Sequence, residues 1–433
     1  MDIRLTIQGN VANRYIRVSG SKSETNRLLL LQALFPGFSI ENASLSDDSE
    51  VMLKALTGDD AVIDIHHAGT AMRFLTAYFA MQEGREVVLT GSPRMKERPM
   101  AILVDALRSL GALIEYTEED GFPPLKISGR KLTGNQVTLP ANISSQYITA
   151  LLLIAGKLDD GLILNLAGEI TSRPYIEMTL ALLNEIGIQT KFSDNKIVVK
   201  PAANNQQPAT GNLTIESDWS SASYFYSIIA LSPEGTSMQL SSYKENSLQG
   251  DSALVEIYRT LGVTTKFDGD TVALQKENRQ PSTVNCQLNN TPDIAQTIAV
   301  TCFGLGIGCH LTGLHTLKIK ETDRLAALKT ELEKLGAKVD ITNDTLMLYS
   351  NELFKNTSEA ASLSFGEGLG VRPVWTGGGN EAIKTYNDHR MAMAFAPIAL
   401  KRDIIIKDAG VVSKSYPAFW EDLKILGFDI EEL

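Results

Sequence analysis

Several things that would assign the chain to a common class are scarce or missing. Cys286, Cys302 and Cys309 are its 3 cysteines in 433 residues, an odd set without a C-x-x-C pair. That excludes a disulfide framework and reads as reduced thiols in a cytoplasmic protein. Positive charge is in deficit: 40 Lys and Arg face 51 Asp and Glu, for a net charge of -11. Neither nucleic acid nor an anionic membrane is therefore expected as the main partner. No apolar run reaches the ~20 residues that cross a bilayer. The opening Met1-Asp2-Ile3-Arg4-Leu5-Thr6-Ile7 alternates like a strand and lacks a signal-peptide pattern. There is no G-x-x-x-x-G-K-[ST] loop and no G-x-S-x-G elbow, and Gly304-Leu305-Gly306-Ile307-Gly308 lacks the strand–turn–helix context of a dinucleotide site. Nucleotide and serine-hydrolase chemistry are disfavoured. His66-His67 reads as a turn pair with no third ligand, so no metal and no cofactor are expected.

What is present is a repeat. An amphipathic helix ending Leu-Gly or Ile-Gly recurs, closing at Gly111, Gly187, Gly262, Gly336 and Gly427, with a degenerate first copy at Gly58. From Gly111 to Gly336 these glycines lie about 75 residues apart, and the last interval is longer. Each glycine precedes strand–turn–strand; Val263 to Phe267, the turn Asp268-Gly269-Asp270 and Thr271 to Leu274 form the clearest hairpin. Upstream of each lies a more apolar helix, such as Ile148 to Ala155 or Ser223 to Ala230. The unit is β-α-β-α-β-β, and six of them predict an α/β chain divided into two groups of three. The long last interval holds an insertion from Ser350 to Lys384, with Gly377-Gly378-Gly379 in it, that suggests no function. Polar residues Pro201 to Pro208 and the turn Ser19-Gly20-Ser21 mark the crossings. A discontinuous domain of residues 1-20 and 217-433 is expected around an inserted domain of 21-216, with two sequential domains as the alternative.

The unusual residues gather at helix starts. Lys318-Ile319-Lys320-Glu321-Thr322-Asp323-Arg324 crowds charge ahead of the stripe Leu325, Leu328, Leu332, Leu335. Lys320 and Arg324 share a helix face if the first turn reaches back that far. Ser, Thr and Asp at such positions are ordinary N-caps. Lys and Arg are not, because they oppose the helix dipole. Lys22, Arg98, Lys320, Arg390 and Lys414 in repeated positions therefore predict a polyanionic ligand in a cleft between the two halves, with acid–base chemistry on a small charged molecule.

The strings Ser21-Lys22-Ser23-Glu24-Thr25-Asn26-Arg27, Gly69-Thr70-Ala71-Met72-Arg73, Arg94-Met95-Lys96-Glu97-Arg98-Pro99, Ser144-Ser145-Gln146, Lys320-Glu321-Thr322-Asp323-Arg324 and Tyr386-Asn387-Asp388-His389-Arg390 follow one another along nearly the whole chain. Together they resemble the 5-enolpyruvylshikimate-3-phosphate synthases. The resemblance implies two inside-out α/β domains, each of three β-α-β-α-β-β units, with the active site in the interdomain cleft. It implies transfer of the enolpyruvyl group of phosphoenolpyruvate to the 5-hydroxyl of shikimate 3-phosphate, by addition and elimination through a tetrahedral intermediate, in a cytoplasmic monomer.

Carried over position by position, Lys22, Ser23, Arg27, Ser144, Ser145, Gln146, Ser172, Tyr175, Asp293, Thr316 and Lys320 would hold shikimate 3-phosphate. Lys22, Gly69, Arg98, Gln146, Arg324, Arg390 and Lys414 would hold phosphoenolpyruvate. Asp293 and Glu321 would move protons, with Lys22 and His389 assisting. By the same resemblance 21-216 is the shikimate 3-phosphate side and the discontinuous domain the acid–base and phosphoenolpyruvate side. His67 and Thr316 stand where the family usually has Asn, and Gly69 leaves room for the family's inhibitor glyphosate. The rivals are the sister transferase acting on UDP-N-acetylglucosamine, which usually carries a reactive loop Cys, and a non-catalytic binding protein of the same fold. Here every Cys lies beyond residue 280, and both Asp293 and Glu321 are present.

Overall fold

The computed structural model describes residues 1–7, 11–142, 144–202, 211–355, 374–375 and 381–433. Most of the Ser350 to Lys384 insertion, including Gly377-Gly378-Gly379, and most of the Pro201 to Pro208 segment lie outside them. Two compact units emerge: a first of Met1–Val18, Ser217–Ser247 and Asp251–Leu433, and a second of Ser19–Glu216 and Leu248–Gly250.

Helices fill the middle of each unit, for the reason their composition suggests. Every residue of Ala295–Gly304 is buried, and in Ser145–Ala155 only Gln146 is not. Ser145–Ala155 packs against Gly69–Ala80 and Arg173–Glu185, and Ala295–Gly304 against Trp219–Leu231 and His389–Phe395. Each unit has its own continuous apolar core.

The sheets are small. In one, Gln136–Pro140 runs parallel to Leu162–Ala167, and Lys196–Val199 and then Thr190–Ser193 add antiparallel. Parallel neighbours need a crossover, which Ser145–Ala155 supplies, whereas the last two strands need only a tight turn. Three more four-stranded sheets repeat this order. One takes its first strand from far away: Arg14–Ile16 lies parallel to Ser237–Ser241, beside the hairpin Val263–Asp268 and Thr271–Lys276. The β-α-β-α-β-β pattern is thus complete in four of the six units.

The other two are curtailed. Among the described residues Phe38–Glu41 pairs only with Gly211–Thr214, and Ile3–Ile7 sits between Ile404–Ile406 and Phe428–Glu432. The difference begins at the helix ends. Gly111, Gly187, Gly262, Gly336 and Gly427 all have positive φ, from 81° to 106°, which reverses the chain into a strand. Gly58, at φ -90°, leaves its helix extended, and no hairpin follows.

One local expectation fails. The helix Arg324–Lys334 does not reach back to Lys320, because Asp323 caps it by accepting from the backbone N–H of Leu325 and Ala326 at 3.1 Å each. Residues His315–Ile319 form a separate 3-10 turn and Lys320 is extended.

Candidate active site

In the first unit the predicted residues assemble around Arg324, whose side chain is 2 % exposed. Its Nε donates to Asp388 at 2.7 Å, one terminal nitrogen to Asp293 at 2.8 Å and the other to Glu321 at 2.7 Å. Burial alone would favour loss of its proton, but Asp388, Glu321 and Asp293 outweigh that and raise its affinity above the usual guanidinium range. Asp293, in the 3-10 turn Pro292–Ile294 that leads into Ala295–Gly304, is also 3.2 Å from Arg390 and 3.6 Å from Lys320. Burial pushes its carboxyl up, yet Arg390, Lys320 and Arg324 together hold it well below the ordinary carboxylate range.

Asp388 does two jobs. It caps the helix His389–Phe395 by accepting from the Arg390 N–H at 2.9 Å, and with its charge it answers Arg324. His389 and Arg390 are buried at the start of that helix. Just before it, Tyr386 and Asn387 adopt consecutive left-handed conformations, φ 53° and 58°. Both the backbone and side-chain oxygens of Asn387 accept from Lys414 Nζ at 2.7 Å. The turn is secured from behind by Glu331, which accepts from the Tyr386 hydroxyl at 2.6 Å and the Lys384 N–H at 3.1 Å and pairs with Lys334. Lys414 itself ends a 3-10 turn, Ala409–Lys414, and does not start a helix. Its repeated position therefore does not have the dipole meaning read from the sequence. Thr316 keeps a buried hydroxyl with no hydrogen-bond partner among the described residues.

The second unit holds the rest. Lys22 is the first residue of Lys22–Leu34 and lies 3.1 Å from the Asp48 carboxylate. One turn on, Arg27 donates to Thr179 at 2.8 Å, to the Ser23 carbonyl at 2.7 Å and to the Tyr175 carbonyl at 3.2 Å, with the Tyr175 ring 5.9 Å away. Burial lowers its pKa to about 10, so it stays a cation at neutral pH. Ser144 caps Ser145–Ala155 by accepting from the Gln146 N–H, and the Gln146 side chain donates to Thr70 at 3.1 Å. Ser172 precedes Arg173–Glu185 in a left-handed conformation, φ 55°, and makes no side-chain capping bond. Arg98 precedes the helix Ala101–Ser109 in sequence. Its guanidinium lies against Gly69, the first residue of Gly69–Ala80, so closely that a Cβ there would meet a terminal nitrogen at 2.2 Å.

Sequence reasoning missed the acids that hold these cations: Asp48, Asp388, Asp251 and the supporting Glu331. Asp388 stands out in the sequence only as part of a motif, where an acid at a helix start reads as a cap. Asp251 carries no signal at all. It accepts from Ser220, which in turn accepts from Arg390 at 3.3 Å. Burial, then the neighbouring Asp293, pushes its carboxyl up to about 7.

Forked guanidiniums and ammoniums beside ionised carboxylates suit a substrate with several anionic groups, and carboxylates so placed can exchange protons. The sequence model of the family described as EPSP synthase (3-phosphoshikimate 1-carboxyvinyltransferase) matches residues 54–423. A 3-phosphoshikimate 1-carboxyvinyltransferase of Bacteroides fragilis (strain YCH46) is 46% identical over 419 residues, 96% of each chain. Another, of Aliivibrio salmonicida, is 34% identical over 95% of this chain and 96% of its own. Among solved structures, an EPSP synthase from Acinetobacter baumannii superposes with a TM-score of 0.76 over 100% of both chains at 22% identity. The enolpyruvyl transferase NikO from Streptomyces tendae superposes with a TM-score of 0.70 over 99% of this chain and 98% of its own at 15% identity.

Proposed function

The chain belongs to the EPSP synthase family, and from that premise we infer how its residues divide the work. It is a 3-phosphoshikimate 1-carboxyvinyltransferase: it transfers the enolpyruvyl group of phosphoenolpyruvate to the 5-hydroxyl of shikimate 3-phosphate and releases phosphate, in the shikimate pathway to aromatic amino acids. In our reading Ser23, Arg27, Ser144, Ser145, Ser172 and Tyr175 hold shikimate 3-phosphate, together with Lys22, Gln146, Asp293, Thr316 and Lys320. Lys22, Gly69, Arg98, Gln146, Arg324, Arg390 and Lys414 hold phosphoenolpyruvate. The enzyme works as a cytoplasmic monomer.

The observation that carries this reading is the array around Arg324, where Asp293 and Glu321 share one guanidinium. Attack of a hydroxyl on the central carbon of an enol phosphate needs a base, and the methylene must accept a proton to become a methyl; as the C–O bond to phosphate then breaks, that methyl gives a proton back, and the proton taken from the hydroxyl leaves with the phosphate. Asp293 begins ionised but weakly basic, because Arg390, Lys320 and Arg324 hold it so. An anionic substrate that engages those cations relieves the hold and makes Asp293 a better proton acceptor. Glu321 serves as the second proton carrier, and His389 and Lys22 assist. The test is phosphate release from purified protein mixed with the two substrates in buffer alone. Release that depends on both substrates is expected, and its absence with fresh substrates contradicts the reading.

A further inference from the structure

We propose that His67 is a positioning residue for this reaction, acting through Asp48 to set how readily Lys22 engages an incoming phosphate or carboxylate; the proposal rests on the reading that Lys22 binds an anionic substrate. Three helix starts meet here. Lys22 opens Lys22–Leu34, Asp48 is the second residue of Asp47–Thr57, and His67 comes two residues before Gly69–Ala80. One Asp48 oxygen is 3.1 Å from Lys22 Nζ and the other is 3.6 Å from His67 Nε2. The side chains of Lys22, Asp48 and His67 are 17%, 7% and 26% exposed, so the carboxylate is sequestered while its two partners still reach solvent.

Among the described residues the charged group placed against His67 is Asp48, whose other oxygen holds Lys22; Arg98 lies against Gly69, two residues further along the chain. On its own turn, Asp64 pairs with the exposed His66, 3.5 Å away. With His67 neutral, the Asp48 charge is answered by Lys22, and an anion must compete for that lysine. With His67 protonated, Asp48 is shared between two cations, and Lys22 is freer to turn to the ligand. Imidazole makes this change in the ordinary working range of pH, and by linkage a bound anion strengthens the His67 proton in return.

The experiment measures KM and kcat for phosphoenolpyruvate from about pH 5.5 to 8.5 in the wild type, His67→Asn and His67→Gln. The wild-type KM is expected to rise about 3- to 10-fold with pH beyond what ionisation of the ligand's own phosphate produces. Both variants should lose that component while retaining the kcat profile and the melting temperature. Superimposable KM profiles in wild type and variants overturn the proposal. So does a loss of KM, kcat and melting temperature together at every pH, which marks a merely structural role. Calorimetric binding of inorganic phosphate over the same pH range needs no turnover. If the wild type releases no phosphate, the functional reading fails, and those binding curves still decide between the outcomes for His67.

Discussion

A guanidinium as buried as that of Arg324 holds its place because Asp388, Asp293 and Glu321 answer it on different nitrogens. Removing one acid from such a cluster strands charge in a poor solvent. Asp251 shows the opposite balance, a buried carboxyl raised to about 7 by burial and by Asp293. Its folded pKa exceeds its unfolded one, so the folded protein retains the proton as pH climbs from about 4 to about 7 while the unfolded chain sheds it. Stability from this group therefore falls across that window and stays low above it. Asp251→Asn should raise the melting temperature more at pH 8 than at pH 5 and leave it nearly unchanged only near pH 4; an equal shift at pH 8 and pH 4, by differential scanning calorimetry, contradicts this.

Gly69 makes a second residue-scale case, since a Cβ there collides with the end of the flexible Arg98 side chain and not with backbone. Gly69→Ala should fold normally and raise the KM for phosphoenolpyruvate about 10- to 100-fold, the worth of a hydrogen bond to a charged group. An unchanged KM would remove Arg98 from the ligand's contacts. Lys22 and Arg390 were legible in the sequence because a cation at a helix start opposes the dipole, whereas Asp293 and Glu321 followed only from the family resemblance, an acid there reading as an ordinary cap. Asp388 and Asp251 were not legible, because their meaning comes from partners far along the chain.

At the scale of elements, the turn Tyr386-Asn387 stores two left-handed residues just where Lys414 is held. Each costs free energy relative to ordinary backbone, on the order of 1–3 kcal/mol. Glu331, on the same helix as Arg324, offsets that cost through Tyr386 and the Lys384 N–H. Glu331→Ala should therefore lower the melting temperature and raise the KM for phosphoenolpyruvate by about tenfold or more, the loss of roughly one strong hydrogen bond. A variant that loses stability but keeps its KM would show that the turn survives without its anchor. The repeating elements themselves were readable from the glycines that reverse the chain at positive φ. Helix limits were less so: Asp323 stops the Arg324 helix one residue before it, and Lys414 belongs to a 3-10 turn, neither of which hydrophobic periodicity distinguishes.

For the whole molecule, a chain of net charge -11 serves anionic substrates by sequestering cations in its interior. Arg27, Arg98, Arg324, Arg390 and Lys414 are all buried, where salt screens them little. Arg390, Lys320 and Arg324 keep Asp293 ionised against the opposing pull of burial. In the proposed mechanism the carboxylates handle protons only while the cations handle anions. Glu321→Gln probes this most directly, because the amide oxygen can still accept from Arg324 while the group can no longer carry a proton. With shikimate 3-phosphate binding measured by calorimetry on the same sample, the rate of phosphate release should fall about 10²-fold or more while binding is retained. Release at the wild-type rate would contradict the account.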